Sequence, residues 1–147
     1  MRISVRFTAA VHTLLCINYF DGTYKVTSDF IAGSTGVNSV IIRKILLQLK
    51  KAGLVNTISG TGGSHLSQSP EEITLLDIYK AVKSEEDDVF NFHPNPNGKC
   101  PIGKNIHTVL DPCLESAQEA LEEEMDKTTL SDLVARVRTI EESNAWN

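Results

Sequence analysis

Residues able to read a nucleic acid are concentrated in one short stretch, Asn38-Ser39-Val40-Ile41-Ile42-Arg43-Lys44. An amide and a hydroxyl there can hydrogen-bond base edges or phosphates. Val40 can meet a thymine methyl, Arg43 can grip guanine with two hydrogen bonds, and Lys44 can reach phosphate or base. Taken singly, each of these reads equally well as ordinary solvated surface; the group favours contact. A different chemistry is available around Cys100, where Lys99 and Lys104 flank a thiol and His93 and His107 lie close by. Cationic neighbours and a helix N-terminus both lower a thiol pKa, which makes Cys100 a candidate sensor thiol beside the alternative of an inert loop cysteine. Iron–sulfur clusters are usually held by several thiolates, so a lone loop cysteine predicts neither cofactor nor metal site. Gly60-Thr61-Gly62-Gly63 lacks the Gly-Lys-Ser/Thr ending of a nucleotide phosphate loop and opens no helix. It suits a wing that lays backbone N–H groups against DNA phosphates, with His65 on the returning strand as a further contact or a plain strand histidine. No nucleophile elbow or paired-ligand motif is present, which argues against an enzyme.

The elements that must position these groups follow from periodicity. Val5, Ala9, His12, Leu15, Cys16 and Tyr19 fall at helical spacing, and Asp21-Gly22 ends that helix. Thr27 or Ser28 can cap a short helix to about residue 34, and Thr35-Gly36 breaks the chain. Asn38 caps a helix to Ala52 whose apolar face is Ile42, Ile45, Leu46 and Leu49, with Gly53 as its stop. The runs 54–59 and 64–67 predict a hairpin. Ala32 supplies the small residue and Gly36 the positive-φ turn of a helix-turn-helix; Ile42 and Ile45 supply its packing, and the hairpin makes it winged. Thr74 with Asp77 starts a further helix carrying Leu75, Ile78, Tyr79 and Val82. Residues 84–101 read as a loop. A long helix follows to about residue 126, with Pro112 expected to kink or break it. Its stripe is Ile102, Ile106, Val109, Cys113, Ala117 and Leu121. Thr129 and Asp132 cap a last helix with Leu130, Leu133, Val134, Val137 and Ile140. Cys16 and Cys113, both on apolar faces, are expected in the core.

The division is therefore a winged helix-turn-helix DNA-binding domain over 1–83, a loop over 84–101, and a helical dimerisation region over 102–147. The fold class is mainly α with a small β-wing. Charge is also segregated along the chain. The 147-residue chain has net charge −5, yet residues 1–68 hold seven basic side chains against two acidic ones, while the remainder holds seven against seventeen. A basic first half can track phosphates that an acidic second half would repel. No apolar run approaches the roughly 20 residues of a membrane span, and the N-terminal stretch, with His12 and no small-residue cleavage site, reads as mature structure. Three cysteines are too few for a disulfide framework and suit a reducing, cytoplasmic location.

MRISVRFTAAVHTLL, IAGSTGVNSVIIRKILLQLKKAGLV and SGTGGSHLSQSPEEITLLDIYKAV resemble the Rrf-two (Rrf2) family of bacterial transcription regulators over nearly the whole chain. The likeness is most specific across residues 36–82. It implies a homodimer that binds a roughly palindromic operator in double-stranded DNA and is joined through the long helix, here about residues 102–126. It also implies recognition-helix contacts at Asn38, Ser39, Val40, Ile41 and Lys44, a phosphate contact at Lys50, and wing contacts at Ser59, Gly60, Thr61, Gly62 and Gly63. Ser28, at the start of the first helix of the pair, is counted among the DNA contacts. Two departures stand out. Ser59 occupies the position where the best-known members insert an arginine into the minor groove. Cluster-binding members hold three closely spaced cysteines, whereas here only Cys100 is present and Ile106 stands where the third would fall. The expected activity is that of a DNA-binding regulator, read as a repressor although the sequence itself does not separate repression from activation, with an unidentified small-molecule or protein effector. A thiol-based redox regulator using Cys100 and a protein-interaction adaptor are the alternatives.

Overall fold

Three helices gather the apolar residues of the first third of the chain: α1 (Val5–Tyr19), α2 (Ser28–Thr35) and α3 (Ser39–Lys51). A hairpin of β1 (Val55–Thr57) and β2 (Ser64–Leu66) follows, then α4 (Leu75–Val82), α5 (Pro101–Met125) and α6 (Leu130–Asn144). This computed structural model describes residues 5–57, 62–84 and 89–144. The mainly helical architecture with one small antiparallel sheet is the one expected from the sequence.

Local chemistry sets the element boundaries. The Thr27 hydroxyl accepts from the Phe30 N–H, so Thr27 rather than Ser28 caps α2. Gly36 ends that helix at φ +72°, donating its N–H to the Ala32 carbonyl, a conformation that costs a residue with a Cβ more. The Asn38 side chain accepts from the Val40 N–H at 2.8 Å and starts α3. The axes of α2 and α3 meet at 114°, within the range of helix-turn-helix pairs. In the hairpin Val55 pairs with Leu66, Asn56 with His65 and Thr57 with Ser64.

The core draws on every helix except α5. Leu14 and Ile17 of α1, Ile31 of α2, Ile42, Ile45 and Leu49 of α3, Ile78 of α4 and Leu130 of α6 are fully buried, together with Ile73. Packing on α1 differs from the expected stripe. Its buried residues are Ala9, Ala10, Thr13, Leu14, Cys16 and Ile17, while Val5 is exposed. Because α1 touches α2, α3, α4, α6 and β2, it is covered on several sides and needs no single apolar stripe. Cys16 is in the core as expected.

The starts of α4 and α6 are joined. Each carries a reciprocal cap, Thr74 with Asp77 and Thr129 with Asp132, in which the hydroxyl accepts one backbone N–H and the carboxylate another. Between them Leu75 donates to the Thr128 carbonyl at 3.0 Å, and Leu130 donates to the Ile73 carbonyl at 2.8 Å. This joint returns α6 to the core shared with α1, α2, α3 and α4, where Leu130 and Val134 are buried.

α5 stands apart, contacting α4 and burying Met125 at its far end. It runs unbroken through Pro112, so of the expected kink or break the break does not occur. A proline removes one backbone donor, and the remaining bonds of a 25-residue helix carry it across. Cys113 is exposed, not in the core, because among the described residues nothing covers its face of α5.

Candidate nucleic-acid interface

α3 is held by its inner face. Ile42, Ile45 and Leu49 lie against the core, so the opposite side of the helix must face outward. At 100° per residue, that outward line runs through Val40, Lys44, Leu47 and Lys51, flanked by Arg43 and Lys50 on one side and Ile41 on the other. All seven are exposed, Val40 by 48%, Ile41 by 41% and Leu47 by 66%. The helix contains no aspartate or glutamate. Ser39 is half-buried at the first turn. The capping bond occupies the Asn38 side-chain oxygen, which leaves its NH2 as the group free to face a base or phosphate. Behind the helix, the Arg6 guanidinium donates to the Gln48 side chain at 3.4 Å and ties α1 to α3.

Leu47 and Lys51 escaped the sequence reading. Leu47 looks like part of the apolar run Ile45-Leu46-Leu47, and Lys51 like a plain helix end. The signal that finds them is the spacing 40, 44, 47, 51, which repeats on the face opposite Ile42 and Leu49.

The hairpin base is fixed beside this helix. Ser64 donates to the Val26 carbonyl at 2.9 Å, and Gly63, at φ +98°, packs on the backbone of Lys25 and Val26. Gly63 is therefore buried against the 25–26 segment and is not at an exposed tip, whereas Gly62 is exposed. Ser59, Gly60 and Thr61 lie outside the described residues. The His65 Nδ1 sits 3.2 Å from the Asp21 carboxylate, so this ring is engaged within the fold. Ser28, in the first turn of α2, is half-buried beside the Thr27 cap.

The residues near Cys100 come together only in part. Cys100 is half-buried at the N-cap of α5, and the N–H groups of Gly103 and Ile102 favour its thiolate and hold its pKa below the ordinary thiol value. The His93 and His107 rings lie 5.7 Å apart, and His107 is paired with Asp111 at 3.1 Å. Cys113 is about 20 Å along the helix from Cys100, at 1.5 Å per residue. Among the described residues, no three His, Cys, Asp or Glu side chains converge as metal ligands. This donor set does not fit an iron–sulfur cluster, which draws on several thiolates in one place. A groove of about 590 Å³ between α1 and α6 is lined by Val11, Leu15, Tyr19, Phe20, Val134 and Val137, with His12, Ser34 and Glu141 at its polar edges. No single described helix is long and apolar enough to cross a membrane.

Comparison with known proteins agrees with this geometry. A family model described as Rrf2, iron-dependent transcriptional regulator, matches residues 3–136. YwnA of Bacillus subtilis (strain 168), named as an HTH-type transcriptional regulator, is 38% identical over 132 residues, 90% of this chain and 96% of its own length. A crystal structure described as that of a DNA binding protein aligns with TM-score 0.71 at 34% identity, over 87% of this chain and 97% of its own. IscR of T. potens shares the fold, with TM-score 0.70 at 22% identity over 93% of this chain and 88% of its own. The interface face of α3, the hairpin beside it and these likenesses lead to one assignment: the chain belongs to the Rrf2 family of DNA-binding transcriptional regulators.

Proposed function

We propose that the protein is a cytoplasmic repressor that binds a palindromic operator as a homodimer, placing α3 of each copy in the major groove. The observation that carries this reading is the outward face of α3, which holds Arg43, Lys44, Lys50 and Lys51 on a helix without a single acid. Its N-terminal turn is the part of a helix-turn-helix reader that meets base edges. The hairpin stitched to the 25–26 segment stands beside it as a wing. Support for two copies comes from α5. Ile102 is 72% exposed and Val109 64%, and Leu110, Cys113 and Ala117 are exposed as well, so a long helix leaves much of its apolar stripe uncovered within one chain. A single reader helix discriminates poorly against a genome, and a two-fold dimer reading two half-sites supplies what is missing.

Gel shifts on the region upstream of the protein's own gene test the reading. Arg43→Ala with Lys44→Ala is expected to weaken specific binding by about 10-fold or more, since each lost base or phosphate contact is worth roughly 1–3 kcal/mol. Both side chains face solvent, so the circular dichroism melt should not move. Unchanged affinity at moderate salt would show that α3 is not the reader. In cells, deleting the gene should raise transcription from the bound promoter; a fall would identify an activator.

A further inference from the structure

The outward line of α3 is not simply basic. It alternates Val40, Lys44, Leu47, Lys51, with Ile41 beside it, so three branched alkyl side chains stand in water on the face that carries the cations. A single exposed alkyl group is ordinary protein surface, but three on the one basic side of a helix form an apolar patch of the kind that binding partners cover. The core explains none of them, because Ile42, Ile45 and Leu49 already fill the inner side. The surrounding charge decides what covers them. Arg43, Lys44, Lys50 and Lys51 frame the alkyl groups with no acid on the helix, which is complementary to a polyphosphate duplex. On the floor of the major groove, the apolar group on offer is the C5-methyl of thymine.

Resting on the DNA-binding reading above, we propose that this helix specifies its operator largely through thymine methyl groups, read by Val40, Leu47 and Ile41, while Arg43 and the lysines fix position on guanine and phosphate. The half-site is accordingly T-rich beneath α3. Leu47, two turns along the helix from Val40, extends the apolar contact beyond the first turn, over a length of about 10.5 Å. That span is comparable to three base steps of 3.4 Å.

The test uses the full-length protein and a duplex enriched by it from a random library. Thymines should recur in the enriched half-sites. Replacing those thymines by deoxyuridine removes only the methyl groups and should weaken binding of the unmodified protein about 5- to 30-fold by fluorescence anisotropy. Val40→Ala with Leu47→Ala should lose most of the difference between the thymine and uracil duplexes, Ile41 keeping the rest, with an unchanged thermal melt because both side chains are exposed. Equal affinity of the unmodified protein for the two duplexes would overturn methyl reading while leaving DNA binding intact. An uracil penalty undiminished in the double variant would overturn the assignment to these side chains. Enrichment of no duplex at all would overturn both this inference and the DNA-binding reading, and capture of an acidic protein in place of DNA would have the same meaning.

Discussion

Cys100 shows how much of a residue's chemistry is made by its neighbours' backbone. Its thiolate faces the Gly103 and Ile102 N–H groups at the open end of α5, which hold its pKa below the usual value of about 8.5. Gly103 is constrained on its other side, because a methyl group placed there would collide with the Asn97 carbonyl. The loop before α5 and the donors over the sulfur are thus held by one glycine. Iodoacetamide at neutral pH should therefore label Cys100 ahead of Cys113, with buried Cys16 last. The midpoint of the Cys100 rate against pH should lie below the ordinary thiol value and move upward in Gly103→Ala, as the Asn97 clash displaces the loop. Peptide mass mapping over a pH series checks this; equal labelling of Cys100 and Cys113 would remove the special status of the former.

Among the elements, the paired starts of α4 and α6 matter most for stability. Losing a hydroxyl cap costs roughly 0.5–2 kcal/mol, so Thr74→Ala should lower the melting temperature by several degrees without touching α3. At the second cap, the Asp132 carboxyl is held below its ordinary value, chiefly by the Thr129 N–H and then by the Thr129 hydroxyl. A carboxyl lowered on folding stabilises the fold above its unfolded pKa, near 3.9, and loses that contribution as pH falls through the lowered folded value. The melting-temperature gap between the unmodified protein and Asp132→Ala should therefore be full at neutral pH and close in acid; a gap independent of pH would contradict the linkage. Both caps were legible in the sequence because capping is a local rule, and so were Gly36, Asn38 and the inner face of α3. What periodicity could not reveal was which faces found partners. α1 is apolar on several sides, so no stripe announces its packing. Cys113 sits on an apolar stripe that stays exposed within the chain. Leu47 was hidden inside an apolar run, and only the tertiary placement of Ile42, Ile45 and Leu49 turns it outward. Pro112 leaves kink and break both open in the sequence, which shows the lost donor and not the bonds on either side.

For the whole molecule, the question is what α5 does outside the core. Val109→Glu with Leu121→Glu places charge on its stripe, at one exposed and one half-buried position, and burying an unpaired charge in a seam costs several kcal/mol. The double variant should sediment as a monomer, retain its helical signal and lose operator affinity. A monomeric unmodified protein that still binds specific DNA at micromolar concentration would remove the dimer. The joint between the starts of α4 and α6 has a further consequence. It clamps the far end of α5 to the same body that carries α3, while the Asn97–Gly103 contact locks the loop onto its near end. In a dimer built on α5, the separation and phase of the two reader helices would then be set by a rigid crossbar, so such a protein would measure distance along the double helix as well as spell out its bases.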